Sequence, residues 1–232
     1  MTTIVREKDA DRLLALAGER LCGKLRRLLA SREHVNLAVP GGRSVVKIFR
    51  AMVREELDWR RVHLFAVDER LVPPDHADSN FRLVREHLVA PLAQEGRIGP
   101  GNDHPFVLDA DRPDRGAGRY ERVLAEHGFR FDAVLLSAGE DGHVGALFPR
   151  HHSVEDRHHG FIVMDDSPKP PPGRMTSSLS LMQTASAAVL VFAGEAKREA
   201  WGRFNDARCP VVACPAKLVL AIGDAAVFTD LA

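Results

Sequence analysis

Two hydrophobic periods alternate along the chain. Short apolar runs rich in β-branched residues occur at Val35–Val39, 62–67, 132–136, Phe161–Met164, Ala187–Phe192 and 218–222, and each predicts a buried strand. Between them the spacing changes to that of a helix. Residues 11–29 put Leu13, Leu14, Ala17, Leu21, Leu25 and Leu28 on one stripe, the pattern of an amphipathic helix packed on a core. Helical spacing returns at 44–57, 80–92, 115–127, 196–205 and in the last residues. Residues 96–113, rich in Gly, Pro and Asp, predict a loop or small excursion. Strands interleaved with helices predict one α/β domain over residues 1–232, built on a mostly parallel open sheet with helices on both faces. Such sheets take ligands in the loops beyond the carboxyl ends of their strands, and the polar clusters of this chain fall in those loops.

Composition narrows the partners. Of 232 residues, 45% are hydrophobic and 28% charged, and Lys+Arg and Asp+Glu each number 32. A formal net charge of zero gives no reason to expect nucleic acid or an anionic membrane as partner, so any attraction for an anion must be local. The amino-terminal residues carry charges from Arg6 onward, unlike a secretory signal, and no run approaches the length of a membrane span. Cys22, Cys209 and Cys214 read as reduced thiols of a cytoplasmic protein. The pairs His151-His152 and His158-His159 sit in a polar stretch without a convincing ligand pattern, so no metal is expected there. No cofactor fingerprint is present, and nothing in the pattern sets an oligomeric state.

Five clusters can carry chemistry. Pro40-Gly41-Gly42-Arg43-Ser44 joins a strand to a helix; it is either a tight turn with a serine cap or a site where free N–H groups meet an anion. Asp68-Glu69-Arg70, with Ser79-Asn80 downstream, places charges at the sheet's carboxyl edge, as a ligand site or a surface ion cluster. Ser137-Ala138-Gly139-Glu140-Asp141-Gly142-His143 ends a buried strand. A histidine there can take a proton from water near neutral pH, and Asp141 can orient its ring. In the run from Ser167 to Thr176, prolines stiffen the chain around Lys169 and Arg174, as a cation site or a solvated linker. Lys197, after Gly194, falls in the first turn of a helix, where a cation is unfavourable unless an anion is near.

Taken in order and spacing, these clusters resemble the 6-phosphogluconolactonase family, relatives of the glucosamine-6-phosphate deaminases, over nearly the whole chain. The motifs that carry the resemblance are Phe131-Asp132 through Asp141-Gly142-His143 and Leu147-Phe148-Pro149, Asp68-Glu69-Arg70 with Ser79-Asn80, and Lys169-Pro-Pro-Pro with Arg174 and Thr176. The resemblance implies a Rossmann-like, sugar-phosphate isomerase/deaminase-like fold. It implies hydrolysis of 6-phospho-glucono-δ-lactone to 6-phosphogluconate, in the pentose phosphate pathway and without a metal or cofactor. His143 would activate water, with Asp141 beside it. Asp68 and Arg70 would line the sugar site, and Gly41, Gly42, Arg43, Ser44, Arg174 and Lys197 would grip the substrate, mostly its phosphate. The chain departs from the family pattern at Ser137 and Arg150, where glycine is usual, at Val144, where a hydroxyl residue is usual, and at Pro40 and Val45.

Two other readings predict different chemistry. An amino-sugar-phosphate deaminase or isomerase would carry an Asn-Glu pair after its histidine, where this chain has Val144-Gly-Ala-Leu-Phe-Pro149. A non-catalytic sugar-phosphate binder would keep the pocket without turnover.

Overall fold

The computed structural model describes residues 2–42 and 44–231. In chain order, β1 (Thr3–Arg6) precedes α1 (Ala10–Leu29), β2 (Val35–Val39), α2 (Val45–Arg54), β3 (Val62–Ala66) and β4 (Asp68–Arg70). Next come α3 (Asn80–Val84), α4 (Ala90–Gln94), β5 (Asp103–His104), α5 (Ala117–Glu126) and β6 (Ala133–Ser137). The chain continues through α6 (His152–Glu155), β7 (Phe161–Met164), β8 (Arg174–Ser177), α7 (Leu179–Met182), β9 (Ala187–Phe192), α8 (Arg198–Asn205) and β10 (Asp224–Thr229).

Seven strands make one parallel sheet in the order β1-β10-β9-β6-β2-β3-β5. Every residue of β2 and β9 is buried, which requires cover on both faces. Helix α1 starts where the Asp9 carboxylate accepts the N–H groups of Asp11 and Arg12, two donors that lack a partner inside the helix. It ends with Arg26 and Arg27 at the negative end of its dipole. Its stripe of Leu13, Leu14, Ala17, Leu21 and Leu25 is buried in the main core. No helix among the described residues is long and apolar enough to cross a membrane.

Besides the edge strands β1 and β5, which the apolar pattern did not predict, three features depart from the sequence expectations. The run at 218–222 is not a strand: Pro215–Ala221 forms a 3-10 segment with Leu218 and Val219 buried and Leu220 exposed. A short apolar run is buried in either conformation, so periodicity does not separate the two. The last residues are not helical; β10 runs between β1 and β9, buried from Ala225 onward. The third is a second, antiparallel sheet, β4-β8-β7, in which Asp68 pairs with Thr176 and Arg70 with Arg174. The stretch around Arg174 is thus an ordered strand as well as a proline-stiffened loop.

Strand β6 is locked to β2 by one buried carboxylate. Asp132 accepts the Asn36 backbone N–H at 2.8 Å and pairs with the guanidinium groups of Arg32 and Arg130. Replacing Asp132 with Ala strands a buried N–H and two cations. A charge-assisted hydrogen bond contributes about 1.5–3 kcal/mol, so urea denaturation of Asp132→Ala should show a loss of that size, and an unchanged midpoint would refute this role.

Candidate active site

Four neighbouring parallel strands, β9, β6, β2 and β3, end on the same side of the sheet. The segments that follow them supply Gly194–Lys197, Ala138–His143, Pro40–Ser44 and Asp68–Arg70. The second sheet adds Arg174. Together they line a cavity of about 560 Å³ whose wall includes Gly41, Gly42, Ser44, Asp68, Arg70, His143, Arg174 and Lys197. All of these were expected from sequence. Asp141 stands behind His143 and Arg43 lies outside the described residues. Asn80, Ser137, Glu140 and Lys169 also line the cavity.

The loop after β6 holds an imidazole against a carboxylate. His143 Nδ1 lies 2.5 Å from Asp141 Oδ1, and the same oxygen accepts the His143 backbone N–H at 3.1 Å. Burial works against the Asp141 charge, but the hydrogen bonds and charge of His143, helped by Lys169, hold its carboxyl well below the usual range. An ionised Asp141 fixes the tautomer with the proton on Nδ1. His143 Nε2 makes no hydrogen bond among the described residues. Gly139 makes room for the ring: a Cβ there would lie 2.0 Å from the His143 Cε1.

The loop after β3 is organised by Glu69, a residue the sequence reading did not single out for a site role of its own. Its buried carboxylate accepts the N–H groups of Arg70 and Asn80 at 2.7 Å and of Phe81 at 2.8 Å, and the Ser79 hydroxyl at 3.0 Å. Burial pushes its pKa up and these four bonds pull it back. Ser79 in turn accepts the Arg82 N–H and caps α3. The Asn80 amide donates to the Asp68 carbonyl and carboxylate, each at 3.0 Å. Asp68 is buried at the cavity wall; burial raises its pKa, opposed by Arg70, Arg174 and His143.

The cavity gathers cations. Arg70, Lys169, Arg174 and Lys197 face it against the carboxylates of Asp68 and Glu140, in a chain of zero formal charge. Arg174 is only 5% exposed, and its guanidinium donates to the carbonyls of Pro171 and Pro170 at 2.9 Å. Burial, then the neighbouring Arg70, lowers its pKa. Lys197 ends a 3-10 turn, Glu195–Lys197, directly before α8, and forms no ion pair among the described residues. Burial lowers its pKa, opposed by Glu140 and Asp141.

The departures from the family pattern have structural counterparts. Ser44 precedes α2 without capping it; its hydroxyl lies 3.3 Å from that of Ser137 across the pocket. Arg150 has φ 57°, the left-handed region that glycine adopts without strain. Val144 is completely buried.

A parallel sheet with cationic side chains in the loops at its carboxyl edge and a carboxylate-held imidazole defines an α/β protein with a candidate site for an anionic ligand. The family described as glucosamine-6-phosphate isomerases/6-phosphogluconolactonase matches residues 8–228, and the chain belongs to it. A 6-phosphogluconolactonase from Mycobacterium tuberculosis is 32% identical over 203 residues, covering 83% of this chain and 81% of the relative. The crystal structure of a 6-phosphogluconolactonase from Shewanella baltica superposes with a TM-score of 0.83 at 25% identity, covering 99% and 97% of the two chains. A monomeric glucosamine-6-phosphate deaminase shares the fold, with a TM-score of 0.81 at 16% identity over 98% and 96% of the chains.

Because Glu69 carries four hydrogen bonds, Glu69→Ala leaves three backbone donors to seek water. Each buried donor left unpaired is worth about 1–3 kcal/mol. Amide exchange at Asn80 and Phe81 should accelerate while the central strands keep their protection. Unaltered exchange at those two amides would remove Glu69 as the organiser of this loop.

Proposed function

We propose that the chain hydrolyses 6-phospho-glucono-δ-lactone to 6-phosphogluconate, with His143 as general base. The observation that carries this reading is the His143 ring, bound through Nδ1 to Asp141 and with no partner for Nε2 among the described residues, in a cavity lined by cations. In the proposed reaction Nε2 takes a proton from water as its oxygen attacks the lactone carbonyl. Negative charge develops on the carbonyl oxygen, and Arg70 is the candidate donor that steadies it. When the ring C–O bond breaks, the imidazolium returns the proton to the departing sugar oxygen. Asp141 stabilises the charged ring between these steps.

The phosphate belongs with Lys197, Lys169, Arg174 and the Gly41-Gly42 turn with Arg43 and Ser44, which lets binding energy far from the carbonyl position the reacting carbon. A deaminase reading is disfavoured by Val144, which is buried and apolar directly after His143, and by the lack of a carboxylate in the residues up to Pro149. A phosphorylated sugar lactone is the partner this reading requires, and a cytoplasmic location accords with it.

Replacing His143 with Ala should lower turnover by about 10²–10⁴-fold, the usual share of general-base catalysis, while phosphogluconate affinity changes far less. Lactone hydrolysis at the parent rate by a folded His143→Ala protein would refute the assignment, and Asp68 would be the next base to test.

Lys197→Ala should lower kcat/KM and product affinity together. A charge-assisted contact worth about 1.5–3 kcal/mol corresponds to about 10–150-fold. Titration calorimetry with phosphogluconate checks the binding half of this expectation, and unchanged affinity with unchanged kcat/KM would exclude Lys197 from the site.

A further inference from the structure

At the opposite end of the sheet, three imidazoles from three different elements converge. His63 is the second residue of β3, His104 ends β5, and His127 follows α5. Strand alternation puts His63 and Phe65 on one face, and the β3–β5 register sets Phe65 opposite His104. His63 Nδ1 and His104 Nε2 are 3.0 Å apart. The His127 ring lies 4.0 Å from the His63 ring and 4.8 Å from that of His104, centroid to centroid. One ring nitrogen from each residue falls within 4.8 Å of the others.

We propose that His63, His104 and His127 form a binding site for a first-row divalent cation, with Zn²⁺ the best match. Zinc takes imidazole nitrogen at about 2.0–2.1 Å, so tetrahedral ligand atoms stand about 3.3–3.4 Å apart. The 3.0 Å between His63 Nδ1 and His104 Nε2 and the 4.8 Å limit for the set bracket that value, and the rings must turn from their stacked arrangement to bind an ion. Neutral imidazoles select borderline cations such as Zn²⁺ over the oxygen-seeking Mg²⁺ and Ca²⁺.

The backbone beneath two of the ligands is already fixed. The Tyr120 hydroxyl donates to the His104 carbonyl at 2.8 Å, and the Asn36 amide donates to the His127 carbonyl, also at 2.8 Å. The His127 ring itself makes no hydrogen bond among the described residues, so its nitrogens are open to a metal. His34, with its ring 5.3 Å from that of His63 and 5.7 Å from that of His127, lies outside the three-residue group, so a water would supply the fourth ligand.

The acids beside the cluster are Asp103, which pairs with Arg85, and Glu126. From His63 to Asp68 the chain advances about 16 Å at strand rise, so this site is separate from the catalytic cavity.

The test uses the full chain, stripped with a chelator and titrated with ZnCl₂ by calorimetry, and with CoCl₂ by visible spectroscopy. One Zn²⁺ should bind per chain and raise the melting temperature, and Co²⁺ should give the absorption of a tetrahedral nitrogen site. Loss of even a supporting group around a metal weakens binding about 10–100-fold, so His63→Ala or His104→Ala should weaken it at least that much. Asp166→Asn should leave binding unchanged; it alters the other histidine-rich group, His151, His152 and Asp166. Should the alanine variants fail to fold, imidazole NMR of the parent decides: Zn²⁺ must perturb the ring nitrogens of His63, His104 and His127. Absence of Zn²⁺ binding, equal affinity in folded His63→Ala, or perturbation confined to His151 and His152 would overturn the proposal.

Discussion

A single buried carboxylate holds the pocket in shape. Glu69 accepts three backbone N–H groups and a hydroxyl from residues 70 and 79–81, and so ties strand β4 to the start of α3. Its charge is set against the unpaired N–H groups of a helix start, where an anion is favoured. That anchorage puts Asn80 beside Asp68, and it fixes the turn from which Arg70 enters the cavity, where its guanidinium also donates to the Asp78 carbonyl. The side of the cavity lined by Asp68, Arg70 and Asn80 therefore rests on a residue that does not line it.

The opposite wall depends on a different balance. Arg174 is almost fully enclosed, and carbonyls of its own proline-rich loop satisfy part of its guanidinium. Desolvation of Arg174, Lys197 and Asp68 occurs in one place. An anionic substrate entering there meets cations already stripped of much of their water, where electrostatic attraction is stronger than at the surface. Charge neutrality of the whole chain and a strongly cationic site are thus compatible.

How much of this could be read from sequence follows from the range of each interaction. His143 and Asp141 are two residues apart on a glycine-bearing loop, so their pairing was visible as a local pattern. The strands β2, β3, β6 and β9 were visible because burial on both faces makes them largely continuous apolar runs, and β7 as a short apolar run although it lies in the antiparallel sheet. Strand β10 was read as helix because a terminal run of six residues fits either period. Strand β8 was hidden by the prolines before it. Glu69 was one of three charges in a row, and nothing local shows that its partners include a hydroxyl ten residues downstream and amides eleven and twelve residues downstream. The contact between Ser44 and Ser137 spans 93 positions and exists only through the sheet order β6-β2. The histidines at 63, 104 and 127 are scattered singly in sequence, and only the β3–β5 register and the end of α5 bring them together.

Gly41 and Asn80 carry a further consequence. A Cβ at position 41 would stand 1.9 Å from Asn80 Oδ1, while the same amide holds Asp68 from its other end. Neither residue can change alone without disturbing the other's loop. A larger side chain at 41 demands a smaller one at 80, and a smaller one at 80 releases Asp68. The floor of the pocket is therefore an epistatic pair: a larger side chain at 41 is admissible only after Asn80 has been reduced, and that route gives up the hold on Asp68, so both positions are constrained together.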